Sequence, residues 1–249
     1  MREAIVACRS AVVRVLSPDL GKAGTGFFVS PGGILLTNCH VVSTIVLTAN
    51  GELELRYSTG PQVEYEGRWQ QARILHSLES THPLYEDYAV LRIDTAAQTP
   101  WLTLGEYGET EPGDHILTLG FPLGIDVVSA TQGIVSAKFE APSPENALFR
   151  RRVFLLDASV NPGNSGGPMI DIRNRRVVGM VSIRLGSLEP HIRGLELLSP
   201  TGTNPLVDVL VDALKMSNQL LNPGLGHAIS IEYARAELRR RGLAVGGVQ

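Results

Sequence analysis

The sequence predicts an all-β protein of barrel type, because its apolar residues fall in many short runs while helical periodicity is confined to its last quarter. Between Ala11 and Ile183 the runs are rich in β-branched and aromatic residues. Gly, Pro or Asn breaks them every few positions, the spacing of short strands joined by tight turns. Taken in order, the strands are expected over 11–16, 25–29, 34–37, 45–49, 71–76, 88–93, 115–120, 126–136, 153–157, 168–171 and 177–183. Val12, Val13 and Val15 carry the first, Phe27 to Val29 the second and Ile34 to Leu36 the third. Ile45 to Leu47, Ile74 with Leu75, and Val90 to Ile93 carry the next three. The remainder rest on Ile116 to Leu119, Ile134 with Val135, Val153 to Leu156, Met169 with Ile170, and Val177 to Val181.

Two stretches read as helices. Asn204-Pro205 is an N-cap followed by proline at the first helical position, opening a helix over 206–221 whose apolar residues occupy most of its circumference. Such a helix must be buried or partnered. A second is expected over 231–241, with Ser230 as its cap. Arg239, Arg240 and Arg241 in its last turn suit the helix dipole, and Gly242 ends it.

A chain of 249 residues with 43% hydrophobic and 19% charged residues fits one large all-β domain or two small ones. The net charge of -3 and the scatter of Lys and Arg give no electrostatic basis for nucleic-acid binding, and Arg150-Arg151-Arg152 reads as a solvated loop edge. At the N-terminus, Arg2, Glu3 and Arg9 break the apolar residues before a signal-peptide core can form, and no run is long enough to span a membrane. Two cysteines, Cys8 and Cys39, are too few for a disulfide framework and read as free thiols, so the expected location is cytoplasmic, or periplasmic or secreted if a leader has been removed. No metal or organic cofactor is implied.

The most informative segment is Asn161-Pro162-Gly163-Asn164-Ser165-Gly166-Gly167-Pro168. A serine set among glycines has room around its hydroxyl, and glycines let the turn aim consecutive N–H groups at one point. A serine hydroxyl needs a neighbouring imidazole to take its proton, and the imidazole needs a carboxylate to fix its tautomer. Thr37-Asn38-Cys39-His40-Val41-Val42 and Glu86-Asp87-Tyr88-Ala89-Val90-Leu91 supply them, giving His40, Asp87 and Ser165 in that order. Cys39 adjoins His40 but points away from it, and reads as a small buried residue. His76, His82, His115, His191 and His227 are taken as structural or surface residues.

With these motifs the chain resembles the trypsin-like serine peptidases of chymotrypsin fold, and within them the HtrA/Deg branch. The matching segments are Gly24 to Asn38, Asp87 to Leu91, Gly120-Phe121-Pro122-Leu123-Gly124, Gln132-Gly133-Ile134-Val135-Ser136, Asp157 to Pro168 and Gly226-His227-Ala228-Ile229-Ser230. The resemblance implies a single peptidase domain of two six-stranded antiparallel β-barrels, over about 11–100 and 113–233. His40 and Asp87 come from the first barrel and Ser165 from the second. It also implies an oxyanion hole formed by the N–H groups of Gly163 and Ser165 with Asn164 between them. Because Asn164 carries no charge, activation by an ion pair to a new N-terminal amine is not expected.

On the same alignment the specificity pocket is lined by Ser159, Val160, Val181, Ser182, Ile183 and Gly226. It holds no carboxylate, so an aliphatic residue is expected before the scissile bond. The segment 186–222 stands as a helical insertion where relatives have a shorter loop, read as a brace on the second barrel or as a surface for a regulator. No PDZ domain is recognised after the terminal helix. The expected partners are a protein or peptide substrate, with a regulatory protein, a fused domain or a second copy also admitted, and neither nucleic acid nor membrane. Two other readings stand beside the peptidase. One is a silent peptide-binding scaffold of the same fold. The other is an α/β-hydrolase esterase using the GxSxG match with Asp208 and His227, against which the order of the three residues argues.

Overall fold

The computed structural model describes residues 1–48, 50–75, 86–96, 98–142, 150–182 and 225–243. The first barrel uses β1 (Val12–Ser17), β2 (Lys22–Phe28), β3 (Ile34–Thr37), β6 (Gln62–Tyr65), β7 (Arg68–Leu75) and β8 (Ala89–Ile93). It closes in the order β1-β2-β3-β8-β7-β6, with β6 returning to β1 through Val15 opposite Val63. A separate two-stranded ribbon pairs β4 (Ser43–Leu47) with β5 (Leu53–Tyr57).

The second barrel is built from β9 (His115–Gly120), β10 (Ser129–Pro142), β11 (Arg150–Asp157), β12 (Pro168–Asp171), β13 (Arg176–Val181) and β14 (Leu225–Ser230). Its order is β10-β11-β14-β13-β12-β9, closed by antiparallel pairing of β9 with β10. Two closed six-stranded barrels among the described residues match the expected fold class, and closure leaves no barrel edge open to pairing with another chain. Among the described residues three α-helices accompany them: α1 (Arg2–Cys8), α2 (Cys39–Val42) and α3 (Glu232–Arg240). The helix expected over 206–221, the insertion 186–222 and Ile183 lie outside the described residues.

Each barrel has its own core. Phe28, Leu35, Val63 and Leu91 fill the first, where Phe28 meets Tyr65 edge to face with ring centroids 5.2 Å apart. Ile116, Phe154, Leu156 and Met169 fill the second. A third cluster forms the seam between the barrels. Phe27, Leu36 and Val90 from the first pack with Leu117, Leu119, Ile170 and Met180 from the second. Ala4 and Cys8 of α1 and Ala234 and Leu238 of α3 join the same cluster. Each fully buried large aliphatic or aromatic side chain stabilises the assembly by about 1.5–3 kcal/mol. The seam therefore fixes one barrel against the other, and the candidate site lies at its solvent end.

Four elements differ from the sequence expectation. β5 and β6 are not anticipated because β5 alternates with the charged Glu54 and Arg56, and β6 buries only Val63 and Tyr65. β14 is absent from the strands read off the apolar runs, since Gly226 lacks the side chain that strand propensity rewards, and only the family resemblance placed a strand at Gly226. α1 has no side-chain N-cap and only seven residues, too short to be stable alone, so its helicity comes from packing Ala4 and Cys8 into the seam.

Candidate active site

His40 rides on α2, a single helical turn that follows β3. Four residues cannot satisfy their own carbonyls, and side chains from neighbouring elements supply the donors. The ammonium of Lys22 reaches the His40 carbonyl at 3.2 Å and also bonds the Ser43 carbonyl. Ser17 Oγ donates to the Val41 carbonyl at 3.0 Å, and Ser43 Oγ to the Cys39 carbonyl at 2.7 Å. The backbone that aims the imidazole is thus tied from three sides. Cys39 is fully buried, with its thiol 3.3 Å from the Ser43 hydroxyl.

Asp87 precedes β8 with φ of 46°, a left-handed conformation that costs a non-glycine residue about 1–3 kcal/mol and persists only when its surroundings impose it. Asn38 imposes it from below, its Nδ2 donating to the Asp87 carbonyl at 2.7 Å. The carboxylate is 1% exposed, and both of its oxygens stand 2.9 Å from His40 Nδ1. The His40 backbone N–H donates to Oδ1 at 3.1 Å, and Ser182 Oγ donates to Oδ2 at 2.7 Å. Burial alone would raise the Asp87 carboxyl. The His40 charge and the bonds from the His40 ring, Ser182 and the His40 N–H together outweigh it and hold the carboxyl below the ordinary aspartate value.

A carboxyl with a depressed folded pKa adds stability above its unfolded value, and the contribution is lost as pH falls through the folded one. The Asp87 contribution is therefore complete above about pH 4, near the unfolded aspartate value, and fades below it. Ser182→Ala removes one donor to this buried charge. It is expected to destabilise the fold by about 1.5–3 kcal/mol at neutral pH and to move the acid limb upward, as read by thermal melts from pH 2 to 7.

Ser165 is carried by the turn between β11 and β12 and is 4% exposed. The turn docks onto the first barrel, with the Ser165 carbonyl accepting the Thr25 N–H at 2.8 Å. Gly163 has φ of +99°, and a Cβ there would stand 2.2 Å from the Phe121 carbonyl oxygen. Gly166 has φ of +87°, and its Cβ would stand 2.2 Å from the Thr25 carbonyl oxygen and 2.9 Å from the Asn38 nitrogen. Only glycine fits either position, so the turn presses against the segment that carries His40.

The carbonyls of Pro162, Gly163 and Asn164 are each anchored. Leu123 N–H donates to the Pro162 carbonyl at 2.6 Å, Thr25 Oγ1 to Gly163 at 2.6 Å and Gly167 N–H to Asn164 at 2.9 Å. The N–H groups of Asn164 and Gly166 bond the Asn161 and Val181 carbonyls at 3.0 and 2.9 Å. In a trans peptide, N–H and C=O point oppositely. The Gly163 N–H is therefore turned away from Leu123, and the Ser165 N–H away from Gly167.

The residues expected at the pocket divide. A Cβ on Gly226 would stand 2.5 Å from Val160 Cγ2, which places Val160 against β14, and Ser159 is exposed beside it. Val181 is fully buried behind the turn, where its N–H and carbonyl bond Gly167 and Gly166. The Ser182 hydroxyl is spent on Asp87, a role the sequence did not suggest, while its N–H donates to the His227 carbonyl at 3.0 Å. Burial and the nearby Arg151 charge lower the His227 imidazole below its ordinary value. Asn38 and Thr25 were likewise missed as site residues, although both lie in the segment that carried the family resemblance. Among the described residues no group of three His, Cys, Asp or Glu is placed to hold a metal.

Comparison with known proteins agrees with this geometry. A trypsin-like peptidase domain model matches residues 24–180. A probable periplasmic serine endoprotease DegP-like of Pseudomonas putida is 32% identical over 81% of this chain, and its counterpart in Rickettsia prowazekii is 26% identical over the same share. The chain spans about a third of the length of these curated relatives, 35% and 36% respectively. Among solved structures, a variant of the HtrA-type protease AlgW with tripeptide superposes with a TM-score of 0.63 at 25% identity, covering 96% of this chain and 62% of that one. The relatives' periplasmic designation overturns the cytoplasmic expectation. That expectation rested on the N-terminal residues and on the two free thiols, and neither feature records where the folded domain works. With a family model matched over more than half of the chain, the protein belongs to the trypsin-like peptidase domain family, and the relatives and solved structures it resembles are of the HtrA/DegP type.

Proposed function

We propose that this chain is a periplasmic serine endopeptidase that cleaves protein substrates through an acyl-enzyme on Ser165. The observation that carries the reading is the His40 imidazole, partly exposed and held through Nδ1 by a buried Asp87 carboxylate at 2.9 Å. Asp87 keeps the proton on Nδ1, which leaves Nε2 as the base for the Ser165 hydroxyl. As Oγ attacks the scissile carbonyl, His40 takes the proton, and the new oxyanion is met by the N–H groups of Gly163 and Ser165 with Asn164 holding the turn between them. His40 then returns the proton to the leaving amine. Water attacks the ester by the same route in reverse, releasing the acyl product and restoring Ser165.

Substrate side chains enter beside Ser159, Val160 and Gly226, and none of the residues assigned to the pocket is an acid that would select a basic residue, so an aliphatic residue is favoured before the cleaved bond. The turn is glycine-rich and anchored from outside itself, which supports control by whatever orders its anchors, whether a partner protein, the substrate or a second copy. The test is labelling of the purified chain with a fluorophosphonate probe, read by intact mass. One adduct, lost in Ser165→Ala, is expected. Absence of any adduct on folded protein in the presence of unfolded protein substrate would favour the silent scaffold of the same fold.

A further inference from the structure

We propose that Thr25 is a positioning residue for the oxyanion turn, its hydroxyl fixing from the opposite barrel the peptide that follows Gly163. The inference rests on Ser165 being the nucleophile. Thr25 lies on β2, is fully buried, and spends each of its polar atoms on this junction. Its N–H donates to the Ser165 carbonyl at 2.8 Å, and its carbonyl accepts the Thr37 hydroxyl at 2.7 Å. Its hydroxyl donates to the Gly163 carbonyl at 2.6 Å and accepts the Phe121 N–H at 3.0 Å. Three glycines of the second barrel close around it. A Cβ at Gly120 would stand 3.0 Å from Thr25 Oγ1, one at Gly166 2.2 Å from its carbonyl oxygen, and one at Gly167 3.3 Å from its methyl.

The physical need for such an anchor comes from Gly163 itself. Glycine takes positive and negative φ with nearly equal ease, so the sequence of the turn does not choose which way the peptides on either side of Gly163 face. Rotating the peptide after Gly163 would carry its carbonyl off Thr25 and drag the N–H groups on either side out of aim. The Thr25 hydroxyl opposes that rotation by holding the carbonyl end of the peptide, whose N–H end, on Asn164, is held within the turn by the Asn161 carbonyl. Because the same oxygen accepts from Phe121, the turn and the 121–125 segment are held by one atom belonging to the barrel that carries His40. Thr25 does not bond His40 or Asp87 among the described contacts, so its influence runs through the oxyanion donors and not through the base.

The experiment compares Thr25→Val, which keeps the shape and removes the hydroxyl, with Thr25→Ser, which keeps the hydroxyl, in the full chain. Wild-type protein is first shown to take a fluorophosphonate on Ser165. Failure at that step would count against Ser165 as nucleophile and is separate from Thr25. The second-order labelling rate is then measured across pH, with circular dichroism to establish folding. Thr25→Val is expected to label about 100-fold more slowly, with the pH midpoint of labelling unchanged, and Thr25→Ser to remain near the wild-type rate. Should Thr25→Val not fold, Thr25→Ala gives the same contrast with Thr25→Ser. Wild-type labelling by a folded variant lacking the hydroxyl would overturn the proposal, as would a Thr25→Ser rate as low as that of Thr25→Val. A displaced pH midpoint would also overturn it, by assigning the effect to His40.

Discussion

Ser165→Ala is expected to lower turnover of an unfolded protein substrate by about a million-fold, leaving only the rate that binding and the oxyanion donors supply without a nucleophile. The loss is so large because the triad acts as a unit: without Oγ, the base has no proton to take and no acyl-enzyme forms. The variant should remain folded, since Ser165 is held through its carbonyl to Thr25 and not through its side chain alone. Substrate affinity should therefore survive while kcat collapses. The comparison is made with a fluorogenic peptide series and with binding of the same peptides by fluorescence anisotropy. Residual turnover within tenfold of wild type would remove Ser165 from the mechanism.

Asp87→Asn is expected to cost about ten-thousand-fold in kcat, through the tautomer of His40. An amide in this position meets three donors: the His40 N–H at 3.1 Å, the Ser182 hydroxyl at 2.7 Å and the imidazole. The backbone N–H can only donate and so holds the amide oxygen at the Oδ1 position, while the Ser182 hydroxyl can turn to accept from an NH2 group at the Oδ2 position, which then also faces the ring at 2.9 Å. The ring must then accept at Nδ1, place its proton on Nε2 and lose the lone pair that Ser165 requires. Stability carries an independent signature. Because the asparagine does not titrate, the part of the acid limb below about pH 4 that belongs to Asp87 should disappear from the melting profile. A variant that loses activity but keeps the full wild-type acid limb would mean that another carboxyl governs the low-pH transition.

The three side chains of the proposed triad stand out in the sequence because each sits in a local pattern whose chemistry shows within a few residues: a serine among glycines, a histidine after a strand, an aspartate before one. Their supports do not. Ser182 reaches Asp87 across 95 positions and Thr25 reaches Gly163 across 138, and nothing near either residue announces a partner so far away. The pocket reading of Ser182 shows the same limit, for alignment gives a position along the chain and only the fold decides where the hydroxyl points. In the fold, strands with buried β-branched runs were visible, whereas β5, β6 and α1 exist because neighbouring elements pair or pack with them. Location was the least legible of all, since no part of the folded domain records the compartment around it.

The apolar seam between the barrels has a consequence for how this protein can change over time. The proposed base and nucleophile belong to separate barrels, so their alignment works as a vernier, set by Phe27, Leu36 and Val90 meshing with Leu117, Leu119 and Met180. A slip of about 1 Å along that mesh, too small to alter either barrel, costs on the order of 100-fold in rate. Greasy residues far from any substrate are thereby under the same scrutiny as the three polar ones, and a methylene lost in the seam can silence a site whose every catalytic atom is intact.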